Sequence, residues 1–180
     1  MNLYVVRHGQ TDGNIKRVID GIKDIPLNNT GKQQAIDARK NISGIDFDIV
    51  FCSPLIRTRE TMELLTENKF PVQIEKQIIE RDCGELMGRR FDEINLDKYW
   101  NYYDDTIYDS VENIQDFFRR IHSFLDYLNK QFPDKTILLV THGGVSKAIE
   151  CYFNGIPSDG NLKNIGLNNC EVKKYTKKVN

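Results

Sequence analysis

Two short stretches of the sequence place a histidine directly after an apolar run. In NLYVVRHGQT, residues 2–11, Arg7 and His8 follow such a run, and in TILLVTHGGV, residues 136–145, His142 follows another. An imidazole can act as a covalent nucleophile, and a guanidinium can bind phosphate oxygens through two parallel hydrogen bonds. Together these residue types indicate chemistry on a phosphate group.

Further residues strengthen the expectation of a phosphate site. Arg57 opens a helix that is predicted after another apolar run, and a helix starting with the pair of glycines at Gly143 follows the second histidine directly. The N-terminus of a helix offers unpaired N–H groups and the positive end of a dipole to an anion. Asn14 adds an uncharged donor, and Gly9 removes a side chain where the first histidine needs close approach to a ligand.

Phosphoryl transfer through a histidine also needs an acid for the leaving group. The attacking imidazole must be neutral, and nearby guanidinium charge disfavours the imidazolium. Glu80 ends a predicted strand before a loop that contains Gly84 and Gly88, and we interpret it as the acid that protonates a leaving alkoxide. Burial and a neighbouring phosphate would both favour its protonated form.

The hydrophobic pattern predicts the elements that position these residues. Strands are predicted over residues 3–7, 48–53, 72–80, 135–141 and 167–176, and helices over 31–42, 55–67, 91–104, a long stretch from 110, and 144–153. This alternation, with three strands almost continuously apolar, predicts a three-layer α/β/α fold in which helices cover both faces of a mostly parallel sheet. Thr30 and Gln33 resemble a capping box at the start of the first helix. Ligands of such sheets bind beyond the carboxyl ends of the strands, where both histidines would lie, but whether their strands are neighbours stays open.

Length, composition and charge bound the class of protein. The 180 residues suit one domain, residues 1–180, and such a chain can bury roughly 70% of its unfolded surface. The net charge of −1 gives no basic excess for binding nucleic acid or a membrane surface. The four cysteines form no CxxC motif, which favours a reducing, cytoplasmic location. We find no charged leader and no apolar run near the ~20 residues that span a bilayer.

Five ordered motifs resemble those of the histidine phosphatase superfamily, also called phosphoglycerate mutase-like. RHGQTDGN is similar to its signature, DIPLNNTGKQQA to the segment that enters the first helix, and CSPLIRTRET to a Ser-Pro-Leu-x-Arg-x-x-x-Thr pattern. ERDCGELMG matches Glu-x3-Gly-x3-Gly, and THGG matches the second histidine motif. The resemblance covers nearly the whole chain and implies the phosphoglycerate mutase-like fold.

The resemblance also implies roles for individual residues. His8 would be phosphorylated, and Arg7, Arg57 and His142 would form the phosphate pocket with help from Asn14.

By the same carry-over, Glu80 would donate a proton to the leaving group and then act as the base for water. Gly21 lies in a loop that borders the substrate in this family, and Gly143 is expected to contact substrate at the start of its helix. The family's catalysis needs no metal ion, and we expect no cofactor.

Two departures leave the substrate side open. Gly13 stands where relatives often carry an aromatic residue, and Met87 replaces a frequent acidic residue. The chain is short for a glycolytic mutase, which favours the phosphatase branch. We therefore expect a metal-independent phosphomonoesterase that acts on small phosphorylated metabolites. A phosphoglycerate mutase, an α-ribazole phosphatase and a non-catalytic phospho-ligand-binding module are the alternatives, and the natural substrate and oligomeric state stay open.

The remaining polar residues receive structural interpretations. His122 lies within the predicted long helix and is expected to be structural. Arg89 and Arg90 are interpreted as a solvated pair, with a contact to a second substrate charge as the alternative. The aromatic segment 99–103 is expected to pack on the core, with a lid over the substrate as the alternative, and Cys83 is assigned no role. A metal site made from the two histidines is disfavoured because the arginines would repel a cation.

Overall fold

A five-stranded sheet forms the centre of the structure, a computed structural model that describes residues 1–104 and 108–176. The strands are β1 (Asn2–Arg7), β2 (Ile49–Cys52), β3 (Val72–Ile74), β4 (Thr136–Thr141) and β5 (Val172–Thr176). They lie in the order β3-β2-β4-β1-β5. The first four strands pair in parallel, and β5 pairs antiparallel to β1. The predicted mostly parallel sheet is confirmed, and β1 and β4, which precede the two histidines, are neighbours.

The helices of the described part of the chain follow or connect these strands. They are α1 (Asp12–Lys16), α2 (Asn29–Asp37), α3 (Ile56–Thr66), α4 (Leu96–Tyr99), α5 (Ile114–Gln131) and α6 (Gly143–Asn154). The short helix α1 lies within residues 8–28, for which the hydrophobic pattern predicts neither a strand nor a helix. Helix α5 begins later than predicted because the side chain of Asn113 caps it. Of the helices described, none is long and apolar enough to cross a membrane.

Alternating side chains of the central strands enter two hydrophobic cores. Leu3 and Val5 pack on one face of the sheet with residues of α5 and α6. Val6 packs on the opposite face with Ala35 of α2 and Met62 of α3. Because parallel strands are buried on both faces, their sequences are continuously apolar. The predicted three-layer α/β/α architecture is confirmed.

Helix α2 starts earlier than predicted and uses a different cap. It begins at Asn29, and Oδ1 of Asn28 accepts a hydrogen bond from the N–H of Gly31 at 2.8 Å. The capping box predicted from Thr30 and Gln33 is therefore wrong. Asparagine is a strong N-cap residue, and this one precedes the threonine in the chain.

The third strand is much shorter than the predicted segment 72–80. It ends at Ile74, after which the side chain of Glu75 caps a 3-10 turn, Lys76–Ile78. Among the strands of the described residues, β3 lies at the edge of the sheet and pairs only with β2, so no second described strand extends its ladder. Glu80 therefore lies in an irregular segment, and contacts other than a strand must position it.

The predicted helix over 91–104 is wrong. A 3-10 turn, Phe91–Glu93, and the single turn of α4 form there instead. After α4, the side chain of Asn101 accepts from the N–H of Tyr103 at 2.9 Å, and its backbone forms a bridge with Asn161. Such local side-chain bonds compete with helical pairing, and here they end the helix.

Two glycines let the loop after β1 lie directly on α2. A Cβ on Gly31 would lie 2.1 Å from the carbonyl oxygen of Gln10, and a Cβ on Gly9 would lie 2.4 Å from the carbonyl oxygen of Gly31. The N–H of Gly9 also donates to the hydroxyl of Thr61 at 3.0 Å. This corrects the sequence interpretation, because Gly9 makes room for the backbone of α2 and not for a ligand.

The substitution Gly31→Ala is expected to destabilise the protein, although alanine favours a helix over glycine by about 1 kcal/mol. The new methyl group meets backbone atoms, and overpacking of this kind costs about 1–3 kcal/mol. Urea unfolding measures the free energy of unfolding. The control is Lys32→Ala, an exposed position in the same helix, which should stay within about 0.5 kcal/mol of the parent. Equal stability of the two variants would contradict the steric constraint.

Candidate active site

The two histidines meet because β1 and β4 are neighbours in register. Arg7 pairs with Thr141 at the carboxyl ends of the strands, and the N–H of His8 donates to the carbonyl oxygen of Thr141 at 2.9 Å. The ring centres of His8 and His142 lie 5.3 Å apart. Both side chains are buried. The geometric expectation from the sequence, two imidazoles at one edge of the sheet, therefore holds in the structure.

A cavity of about 250 Å³ opens at this edge of the sheet. Seven of the eight residues predicted for the site line it: Arg7, His8, Asn14, Gly21, Arg57, Glu80 and Gly143. The eighth, His142, is fully buried beside His8 and is not part of the wall. The structure thus brings together all residues that the sequence predicts for the site.

The hydrogen bond of His8 leaves one ring nitrogen with its lone pair. Nδ1 lies 2.8 Å from the carbonyl oxygen of Gly9, and because a carbonyl oxygen only accepts, Nδ1 carries the proton. Burial holds the pKa of His8 well below its usual value, and the charges of Arg57 and Arg7 lower it further. Nε2 of this neutral ring can therefore attack an electrophile in the cavity.

A serine hydroxyl faces the second imidazole. Nε2 of His142 lies 2.7 Å from Oγ of Ser53, the residue after β2, and both residues are fully buried. Burial also holds the pKa of His142 well below its usual value, with Arg57 as the next cause. When the hydroxyl donates to Nε2, the proton of the neutral ring lies on Nδ1. This Nδ1 is buried and has no hydrogen-bond partner in the described part of the chain, so its N–H can donate a hydrogen bond to an anion in the site.

Backbone carbonyls hold both arginines of the site. Nη1 and Nη2 of Arg57 donate to the carbonyl oxygens of Lys23 and Gly21, each at 2.7 Å, and Nη1 of Arg7 donates to Leu167 at 2.9 Å. Burial lowers the pKa of both guanidinium groups, but such groups stay charged. Nε of Arg7 is buried without a partner among the described residues. Buried donors are normally satisfied, and an anion that accepts here and from the second imidazole would satisfy both.

Asn14 and Gly21 are positioned by local contacts. Oδ1 of Asn14 accepts from the N–H of Thr11 at 3.1 Å and from Nδ2 of Asn169 at 3.2 Å, which leaves the amide group of Asn14 as a donor at the cavity wall. Gly21 has a φ of +48°, a left-handed conformation that glycine adopts easily. Its carbonyl oxygen then faces Arg57.

Two backbone N–H groups fix the carboxylate of Glu80. Oε2 accepts from Gly144 and Oε1 accepts from Arg81, each at 2.9 Å. Nη2 of Arg120, on α5, donates to the carbonyl oxygen of Glu80 at 3.1 Å, and the same guanidinium pairs with Glu112 at 2.7 Å. The start of α6 was expected to donate to an anion of the substrate, but the N–H of Gly144 donates to the carboxylate instead. Each carboxylate oxygen keeps a further lone pair for a proton or a substrate group.

Sequence reasoning missed three residues at or beside the site. Ser53 directly follows β2 at the same edge of the sheet, so the rule that identified the histidines could also have found it. Arg120 lies in an amphipathic helix, where no local signal distinguishes it from a solvated charge. Asp20 lines the cavity from a loop whose path the sequence does not fix, and burial raises its pKa.

The aromatic segment 99–103 both packs on the core and reaches the cavity. Tyr99 is buried in a small hydrophobic cluster, as the packing interpretation expects, but it lines the cavity together with Trp100. Tyr103, by contrast, is 60% exposed. Cys83 lies in the cavity wall 2.9 Å from the hydroxyl of Tyr99, and burial raises the pKa of its thiol to about 12.

The other polar residues lie away from the cavity. Arg89 and Arg90 are exposed and absent from the described cavity wall, and Arg90 pairs with Asp92 at 3.0 Å. Nε2 of His122 donates to the carbonyl oxygen of Ala148 at 2.9 Å, which supports a structural role. Over the described part of the chain, no three histidine, cysteine or acidic side chains are grouped so that they could hold a metal ion.

The chain is similar in sequence to a family model and to individual proteins, and in fold to a solved structure. A family model for the histidine phosphatase superfamily (branch 1) matches residues 3–178. The uncharacterized phosphatase PhoE of Bacillus subtilis (strain 168) is 32% identical over 152 residues, which cover 84% of this chain and 76% of the relative. The adenosylcobalamin/alpha-ribazole phosphatase of Escherichia coli (strain K12) is 30% identical over 166 residues, which cover 88% of this chain and 82% of the relative.

The solved structure of Bacillus stearothermophilus YhfR has a TM-score of 0.85 to this one at 25% identity, covering 96% of this chain and 89% of that chain. The family model spans nearly the whole chain, and four of the five motifs quoted from the sequence contribute residues to one cavity wall. The protein therefore belongs to branch 1 of the histidine phosphatase superfamily.

Proposed function

We propose that this protein is a phosphomonoesterase that hydrolyses small phosphorylated metabolites through a phosphohistidine formed on His8. The observation that carries the proposal is the state of this side chain: a buried, neutral imidazole with its proton on Nδ1, beside two guanidinium groups. Such an imidazole is a nucleophile, and fixed cations stabilise the charge of a transferring phosphoryl group. The proposed reaction uses no metal ion or cofactor.

In the proposed first step, Nε2 of His8 attacks the phosphorus of the ester, and the bond between phosphorus and the leaving oxygen breaks. Glu80 transfers its proton to that oxygen, so the product leaves as a neutral alcohol. Arg7, Arg57 and Nδ1 of His142 donate to the phosphoryl oxygens. The support for these roles is the cavity that His8, Arg7, Arg57 and Glu80 line, together with the two unsatisfied donors, Nε of Arg7 and Nδ1 of His142.

In the proposed second step, water replaces the histidine on phosphorus. Glu80, now a carboxylate, takes a proton from the water, whose oxygen bonds to phosphorus as the bond to Nε2 of His8 breaks. Inorganic phosphate leaves, and Glu80 has regained its proton. Asn14 donates to the phosphate in this proposal, and Gly21 and Gly143 border the substrate.

The same pocket would serve a mutase, in which the phosphoryl group returns to a sugar acid instead of passing to water. Two of the similar proteins named above are phosphatases, which supports hydrolysis. The resemblance to the alpha-ribazole phosphatase of Escherichia coli keeps that substrate among the candidates. A non-catalytic binding module is disfavoured because the chain retains both the nucleophile His8 and the acid Glu80.

We also propose that residues 1–180 form a single domain in a reducing cytoplasm. The family model, which matches residues 3–178, supports the single domain. The four cysteines are all unpaired and buried, and unpaired cysteines suit a reducing compartment.

The substitution His8→Ala is expected to abolish phosphoenzyme formation and to lower kcat on p-nitrophenyl phosphate by about 10⁴-fold or more, because the nucleophile is lost. Acid quenching followed by intact mass measurement detects the phosphoenzyme, and released phosphate gives kcat. The control is His122→Gln, which removes an imidazole outside the cavity. Phosphoenzyme in the His8→Ala protein would refute the nucleophile assignment.

The substitution Glu80→Gln is expected to slow esters of poorly acidic alcohols most, by about 10²- to 10⁴-fold, because only these need a proton on the leaving oxygen. Comparing ethyl phosphate with p-nitrophenyl phosphate measures this difference. Glu85→Gln, at an exposed position nearby, is the control. If both esters slowed equally, Glu80 would not be the acid.

The substitution Ser53→Ala is expected to lower kcat by about 10- to 100-fold with little change in KM, because the proton of His142 is then no longer held on Nδ1. A double-mutant cycle tests whether the serine acts through the imidazole. In a His142→Ala background, the serine substitution should add nothing further. A full additional loss of kcat there would show that Ser53 acts independently of His142.

A further inference from the structure

We propose that the ester hydrolysed by this enzyme carries an uncharged, apolar ring system and not a second acidic group. This inference rests on the proposed function and concerns the part of the cavity that receives the leaving alcohol. Three features of the wall support it: the apolar side chains, the lysine and arginine side chains that already bond to other protein groups, and the carboxyl group of Asp20.

The first feature is an apolar surface next to the acid. Six apolar or aromatic residues line this part of the cavity: Val18, Ile19, Phe91, Leu96, Tyr99 and Trp100. A Cβ on Gly144 would lie 2.3 Å from Oε1 of Glu80 and 2.8 Å from the indole of Trp100, so the indole and the carboxylate both lie next to this glycine. An alcohol protonated by Glu80 would therefore contact an aromatic ring, which favours an apolar partner.

The second feature is that the positively charged side chains of this wall already donate hydrogen bonds to other groups of the protein. Nζ of Lys147 donates to the carbonyl oxygens of Leu162, Lys163 and Ile165, and an ammonium group has three protons to donate. Burying such a charge requires this pairing. A carboxylate on the substrate could bind this ammonium only by displacing a carbonyl oxygen.

The other two cations that line the described cavity outside the phosphate site are similarly engaged. Nε and Nη1 of Arg81 donate to the carbonyl oxygens of Glu112 and Tyr99 at 2.7 and 2.8 Å. Nζ of Lys163 pairs with both carboxylate oxygens of Asp97 at 3.1 and 3.2 Å. A second substrate anion would compete with all of these contacts.

The third feature is the carboxyl group of Asp20. It lies in the same wall as Glu80 and is half-buried, with its oxygen 3.5 Å from the hydroxyl of Thr11. Like charges brought together at a partly desolvated site repel each other. The wall therefore disfavours an acidic leaving group and accepts a neutral one.

The test compares 3-phenylpropyl phosphate with 3-phosphoglycerate, both esters of primary alcohols, with p-nitrophenyl phosphate in parallel. We expect kcat/KM for 3-phenylpropyl phosphate to be at least about tenfold higher than kcat/KM for 3-phosphoglycerate. If p-nitrophenyl phosphate released no phosphate, the proposed function would fail and this inference with it. Release from p-nitrophenyl phosphate, combined with an equal or higher kcat/KM for 3-phosphoglycerate, would overturn the substrate class alone.

Two substitutions test the wall directly. Asp97→Asn frees Lys163 and is expected to raise kcat/KM for 3-phosphoglycerate by about fivefold, whereas Asp92→Asn, which breaks the ion pair of Arg90 away from the cavity, should not. Trp100→Ala should reduce the preference for phenylpropyl over ethyl phosphate by about tenfold, and Trp100→Phe should restore most of it. Equal responses of the two aspartate variants, or an unchanged preference in Trp100→Ala, would overturn the proposal.

Discussion

The parallel pairing of β1 with β4 is the constraint on which the site depends. Side chains of a strand alternate between the two faces of the sheet, so a slip of one residue would move every buried side chain to the other face. Leu3 and Val5 occupy one core and Val6 occupies the other, which makes such a slip unfavourable. Hydrophobic burial outside the cavity thereby sets the 5.3 Å between the rings of His8 and His142.

The same burial produces the charge distribution of the site. Both imidazoles are kept neutral, mainly by burial, while the guanidinium groups of Arg7 and Arg57 remain charged. Carbonyl oxygens hold these guanidinium groups in place without neutralising them. The result is a preorganised positive site with unsatisfied donors, which requires little rearrangement when charge develops on a phosphoryl group.

The sequence predicts the phosphate side of the site better than the substrate side. The histidines and Arg57 lie next to apolar strands or open a helix, and the position of a strand end depends on local patterning. The sequence predicts Glu80 at the end of a strand, whereas in the structure Gly144 and Arg120 hold it at the cavity from an irregular segment. These contacts join segments far apart in the chain, so no local pattern indicates them.

The errors have a common physical origin. The segment 91–104 is predicted as one helix, yet its backbone is paired with a distant segment through Asn101 and Asn161. The role of Gly9 depends on a helix that packs over it, which is tertiary information. The hydrophobic periodicity indicates which residues are buried, but it does not indicate which distant segment of the chain packs against them.

The phosphate side of the site carries the chemistry, and the substrate side carries the specificity. The nucleophile directly follows β1, the second histidine directly follows β4, and the anchor of the acid lies at the start of α6, so all three share one rigid sheet edge. The leaving-group wall comes from the loop after α1, which supplies Val18 and Ile19, and from loops and short turns between β3 and α5, which Arg81 holds through backbone carbonyls. Substitutions in those loops can change the shape of the wall without moving the imidazoles, because only side chains and loop backbone link the two parts. A fold arranged in this way can retain one phosphoryl-transfer site while the accepted alcohol changes.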